Sequence, residues 1–176
     1  MQVVDPVLGG IVTEIVHHVA DIMQQRRGDQ SRRPARLLRQ PRRLQGVRAL
    51  DPMKAKHLEK ALTQFAEEGA AKVFKPMIGS GFIVGVVGQL QFEVLASRIE
   101  QEYGLPVRFE PSQFTSARWV SGPKDEMEKF INVNKGHIGQ DSDGDTVFLT
   151  RLKWDIDRIE RDYPALTLSA TKQMMV

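Results

Sequence analysis

The change of hydrophobic period between Phe82 and Pro111 constrains this chain more than any other feature. Phe82 to Val87 is a short apolar run rich in β-branched residues and bounded by glycines, which predicts a buried strand. From Gln89 the period becomes helical. Phe92, Leu95, Ala96, Ile99 and Tyr103 fall on one face, and Gln91, Glu93, Arg98, Glu100 and Gln101 on the other. Gly104 follows the last periodic residue, where glycine adopts at little cost the left-handed backbone that ends a helix. Leu105-Pro106 then restarts an extended chain from Val107 to Glu110. The stretch predicts strand, helix, strand, with the helix packed on a sheet.

Upstream, Asp51-Pro52 predicts a helix start: the aspartate caps free amide groups, and the proline sits where its missing N–H costs nothing. Leu58, Ala61, Leu62, Phe65 and Ala66 then form the inner face, with Lys54, Lys56, Lys60 and Gln64 outward and Gly69 near the end. A strand from Ala71 to Phe74 and a turn from Pro76 to Gly79 follow. With Gln45 to Leu50 as a leading edge strand, the order is β-α-β-β-α-β. This is an α+β, ferredoxin-like pair of split β-α-β units, an antiparallel or mixed sheet with its helices on one face. Beyond Pro111 the pattern predicts a strand from Ser116 to Val120 and a helix opened by Gly122-Pro123 with Met127, Phe130 and Ile131 inward. A polar turn from Asp141 to Gly144 and a strand from Thr146 to Leu152 come next. Last are a helix from Lys153 to Asp162 with Trp154, Ile156 and Ile159 at inner or edge positions, and a strand from Ala165 to Ala170. The tail adds β-α-β-α-β.

With 176 residues and 41% hydrophobic content, the chain has material for a proper core and reads as a soluble globular protein. No apolar run approaches the roughly 20 residues of a membrane span, and the start carries no signal-peptide pattern. Cysteine is absent, which excludes disulfides, thiolate metal sites and a cysteine nucleophile. The pI of about 9.3 suggests nucleic acid. The charge, however, is lopsided: residues 1 to 50 hold nine arginines and four acids, leaving 16 basic and 18 acidic residues for 51 to 176. Ile11 to Met23 has the spacing of a short amphipathic helix. Gln25 to Arg48 is dominated by Arg and Gln, is broken by Pro34 and Pro41, and is expected to be flexible. It reads either as an arginine-rich arm that neutralises phosphates or as a linker, and no aromatic residue is interleaved to stack on bases.

The motifs that superficially carry chemistry fail on context. Gly79, Gly81, Gly85 and Gly88 precede and interrupt a strand instead of lying between strand and helix, and no Gly-Lys-Ser/Thr follows, so they make no phosphate loop. Close backbone packing is the simpler role for such glycines. Asp141, Asp143 and Asp145 resemble the start of a calcium loop, but Thr146 stands where the sharp turn needs glycine and Leu152 where the closing glutamate belongs, leaving an acidic turn. His17 and His18 diverge around a helix, His57 and His137 are isolated, and no zinc site follows. Glu67-Glu68 and Asp125-Glu126 are exposed acidic neighbours without a pocket. Trp119 and Trp154 read as core or edge packing, with a partner-binding hot spot as the alternative. Catalytic, cofactor-binding and metal-binding residues are all expected to be absent.

The runs LDPMKAKHLEKALTQFAEEGAAKVFKP, IVGVVGQLQFEVLASRIEQEYGLPVRFEP and ARWVSG, with the distal TVFLTRL and DYPALTLSATKQ, together resemble the C-terminal domain of bacterial peptide chain release factor 3, a translational GTPase of termination. The likeness runs from about Val47 to the C-terminus and is most specific from Gly85 to Tyr103. A looser likeness to the third domain of elongation factor G supports the ferredoxin-like first half. The division this implies is an atypical, arginine-rich, flexible segment over 1–46 and a release-factor-like domain over 47–176, made of halves 47–111 and 112–176.

The resemblance implies a cytoplasmic role in translation termination. Such proteins engage the ribosome after peptide release and promote departure of the codon-reading release factor, with the C-terminal domain toward the small subunit, its ribosomal protein and ribosomal RNA. The family's GTPase domain and β-barrel have no counterpart here. GTP and magnesium are therefore expected only in that missing domain, no cofactor in this chain, and no enzyme activity from it. Residues 1 to about 45 do not match the end of the barrel and are expected to be out-of-frame or truncated-gene sequence. The partners implied are the ribosome and the family's own GTPase and barrel domains, with no membrane and no DNA. Lys54, Lys56, Lys60 and Arg98, at outward helical positions, and Arg108 on the following strand are the candidates for ribosome contact. The second reading is a stand-alone ferredoxin-like module that binds RNA or a small ligand through a basic arm.

Overall fold

The computed structural model describes residue 41 and residues 43–79 and 81–172. The helix expected from Ile11 to Met23 and most of the arginine-rich segment lie outside these residues. Eight strands and four helices follow one another: β1 (Arg43–Ala49), α1 (Ala55–Glu67), β2 (Lys72–Pro76), β3 (Phe82–Val86), α2 (Leu90–Tyr103), β4 (Val107–Pro111), β5 (Ser116–Ser121), α3 (Lys124–Val133), β6 (Ile138–Asp141), β7 (Thr146–Thr150), α4 (Lys153–Asp162) and β8 (Thr167–Ser169). All pair antiparallel in a single sheet of order β4-β1-β3-β2-β6-β7-β5-β8.

The first four strands stand in the order 4-1-3-2 of two interlocked split β-α-β units, as the sequence predicts. The local signals act as expected. Asp51 accepts a hydrogen bond from Met53 N–H at 3.0 Å and opens the 3₁₀ turn Pro52–Lys54 that leads into α1. Gly104, at φ 59°, closes α2 in the left-handed conformation. Two corrections concern β1. It begins at Arg43, inside the stretch expected to be flexible, because β3 and β4 pair with it on both sides and supply the hydrogen bonds that its composition does not. For the same reason it is an interior strand, not an edge.

The second half differs from its reading by one strand. Ile138 to Asp141 forms β6 between β2 and β7, where the sequence shows only the start of a polar turn. The tail is therefore β-α-β-β-α-β, and its strands β6-β7-β5-β8 repeat the 4-1-3-2 order in mirror sequence. Two ferredoxin-like units meet at their second strands, with Phe74 opposite Asp141 and Lys75 opposite Gln140.

Three cores result from the alternation of side chains along the strands. Val47, Val73, Val84 and Val86 pack with Leu58, Leu62 and Phe65 of α1 and Phe92, Leu95 and Ile99 of α2. Val120, Ile138 and Phe148 pack with Phe130 of α3 and Ile159 of α4. On the reverse face, Leu44, Phe74 and Ile83 from the first half meet Ala117, Trp119, Val147 and Leu149 from the second. A flat sheet would set β2 and β5 roughly 14 Å apart, three strand spacings. The Phe74 and Trp119 rings are 5.9 Å apart instead, so the sheet curls around this middle core with all four helices on its outer side. Gly85 lines the inner side, where a Cβ would lie 2.7 Å from Pro41 Cβ and 2.9 Å from Leu44 Cδ2, so its role is close packing.

Candidate functional site

The candidate contact residues fall into three groups. Lys54, Lys56 and Lys60 are exposed on the 3₁₀ turn and the outer face of α1. The inner face of α1 carries Leu58, Ala61, Leu62 and Phe65, so helical geometry sends these lysines outward. None of the three has a carboxylate within ion-pairing distance among the described residues, whereas the neighbouring Glu59 pairs with Lys75 at 2.8 Å. Among the described residues they form a set of unpaired cations on α1 and the turn that leads into it.

Arg98 does not belong with them. Its side chain is only 13% exposed, Nε donates to Glu102 Oε1 at 2.7 Å, and both terminal nitrogens donate to Glu68 Oε2 at 3.2 Å. The guanidinium lies 4.4 Å over the Phe65 ring. Burial pushes its pKa down, and the two carboxylates outweigh that effect and raise it. Helical periodicity places Arg98 on the polar side of α2, but that side borders the end of α1, so the residue joins two helices. Arg108 is exposed on the edge strand β4, directly opposite Arg48 of β1, which approaches Glu110 at 3.7 Å.

The acidic turn is occupied by a cation from the chain itself. Asp141 Oδ1 accepts the backbone N–H groups of Asp143 and Asp145, at 3.0 and 2.9 Å, closing the turn between β6 and β7. Lys172 Nζ then lies 3.0, 2.5 and 2.5 Å from carboxylate oxygens of Asp141, Asp143 and Asp145. Trp119 Nε1 donates to Asp141 Oδ2 at 2.9 Å. Burial opposes the charge on Asp141 and Lys172 alike. It is overcome in both, so Asp141 is held below and Lys172 above its ordinary range. This is the acidic turn of the sequence reading, with a lysine ammonium between its carboxylates.

Trp119 is core, as expected, but Trp154 is 59% exposed. Expected at an inner or edge position, it is excluded from the inner one by helix geometry: two residues from buried Ile156 is roughly 200° of rotation, nearly the opposite face. Arg158, one turn on, lies 5.3 Å over the Trp154 ring. Sequence reasoning missed this pair, and the same angular count shows it.

Residues 39–160 match the family described as class II release factor RF3, C-terminal domain, well over half of the chain. The chain belongs to this family. The match takes in the whole of β1 and β6, the elements least legible in the sequence, and reaches into α4. The chain thus carries a translation-termination factor domain. No helix among the described residues is long and apolar enough to cross a membrane.

Proposed function

We propose that this release factor 3 C-terminal domain acts in the cytoplasm as a ribosome-contacting element of translation termination, on the small-subunit side, in the step that recycles codon-reading release factors. The family match carries this reading. The free cations Lys54, Lys56 and Lys60 support it, since ribosomal RNA presents closely spaced phosphates and an exposed lysine without a protein partner is the group that binds them. Arg108 is a further contact. Arg98 contributes by joining the end of α1 to α2. The domain binds and positions, and nucleotide turnover belongs to a GTPase domain that holds GTP and magnesium.

The test is co-sedimentation of the full chain at micromolar concentration and low salt with purified bacterial small and large subunits. Saturable pelleting with small subunits, weaker with large ones, is the expected result. Equal pelleting with both, or none, contradicts the reading.

A further inference from the structure

Among the described residues, exposed Trp154 and half-buried Arg158 form a surface pair on α4 that makes no hydrogen bond or ion-pair contact with the rest of the fold. Arg158 stacks on the indole, and its Nε is buried without a hydrogen-bond acceptor. Its guanidinium makes no ion pair among the described residues. Asp155 is close enough for its charge to interact with Arg158, but without an ion-pair contact, and its Oδ2 is taken by Thr150 Oγ1 at 2.8 Å and by Leu152 N–H at 3.2 Å. The buried Nε lies out of reach of any ligand, whereas the two terminal nitrogens donate to no hydrogen bond among the described residues and are the groups left for an acceptor from outside. The indole is equally unspent, being the most bulky exposed apolar group of the described residues. Lys153 beside it is also exposed and makes no ion pair among the described residues.

An exposed indole with a guanidinium stacked on it has two complementary uses. The aromatic face accepts an unstacked nucleobase, and the guanidinium fork donates to the adjoining phosphate. We propose that Trp154 and Arg158 form a single-stranded RNA contact, in which Trp154 stacks one base and Arg158 neutralises one phosphate, with Lys153 adding charge at its edge. This deepens the ribosome-contact reading, on which it rests, by naming a second surface and its partner as RNA.

The experiment uses the full chain and its two tryptophans. Trp119 is buried and hydrogen-bonded, so quenching by a ligand reports Trp154. A mixed-sequence, end-labelled single-stranded RNA of about 12 nucleotides is titrated against the wild type, Trp154→Ala, Trp154→Phe, Arg158→Met and Arg158→Lys, with affinity read from the anisotropy of the label and quenching read where Trp154 is present. The wild type quenches on binding. Trp154→Ala binds about tenfold more weakly, as loss of one stacked base requires, and Trp154→Phe retains most of the affinity. Arg158→Met lowers the slope of log affinity against log salt by about one, and Arg158→Lys restores that slope without restoring full affinity. Circular dichroism of each variant checks its folding.

Binding without quenching, unchanged affinity in Trp154→Ala, or no binding of RNA by the wild type overturns the proposal. So does a Trp154→Ala variant that loses intact small subunits but keeps RNA extracted from them, since the pair then meets a ribosomal protein. RNA binding through Trp154 with no binding to small subunits upholds this contact and removes the ribosome reading, so the two failures are separate.

Discussion

The Arg98 guanidinium stands 4.4 Å from the centroid of the Phe65 ring, and Glu68 and Glu102 complete its surroundings. This contact joins α2 to the end of α1 through one side chain. Arg98→Ala removes a stacked cation and three charge-assisted hydrogen bonds, and should cost about 1–3 kcal/mol. Arg98→Lys recovers only part, since an ammonium cannot match the fork on Glu68. Chemical denaturation measures both. Loss of ribosome binding in Arg98→Ala without loss of stability would make Arg98 a contact residue instead.

The middle core predicts that the two ferredoxin-like halves unfold together. Phe74 and Trp119 come from different halves and lie in the same cluster, so neither half keeps its inner face covered alone. Phe74→Ala should destabilise by about 3–5 kcal/mol. Tryptophan fluorescence and far-ultraviolet circular dichroism should report one coincident transition in the wild type. Two separated transitions would show independent halves.

Gly85→Val should be damaging despite the apolar setting. The added Cβ meets Pro41 and Leu44 at 2.7 and 2.9 Å, and the branches go further, so overpacking of about 1–3 kcal/mol is expected. Thermal denaturation reads it. An unchanged melting temperature would mean that β1 and β3 separate at no cost.

The Lys172 cluster gives a pH signature. Asp141 has its pKa lowered from 3.8, so its contribution is full above that value and is lost as pH falls through the lower folded value. Lys172 is raised above 10.5, so its contribution is full below 10.5 and is lost as pH rises through the higher folded value. The stability difference between wild type and Lys172→Met should be about 1–3 kcal/mol and flat from pH 5 to 9. It should shrink below about 3.8 and above about 10.5. A difference that persists undiminished to the acid limit would place the interaction outside this cluster.

What the sequence showed and hid follows from range. α1, α2 and their strands were legible because caps, periodicity and Gly104 act within a few residues. β6 was not, since Ile138 is its one large apolar residue and its status comes from β2, more than sixty positions earlier. Likewise, nothing near Asp141 announces Lys172 as its partner. Of the candidate contact residues, the outward placement of Lys56 and Lys60 was readable from the wheel of α1, and that of Lys54 from the turn before it. Arg98 was misread because periodicity gives a face and says nothing of which neighbour borders it. Trp154 was readable: the inner position left open for it is excluded by its angle to Ile156.

The most direct measurement compares the wild-type chain with the charge-reversed variant Lys54→Glu/Lys56→Glu/Lys60→Glu in binding to purified small subunits across a salt series. Three free lysines that meet phosphates predict an affinity at least about tenfold lower in the variant and a log–log salt slope reduced by about two to three. Equal affinities with equal slopes would contradict the account and move ribosome contact off α1.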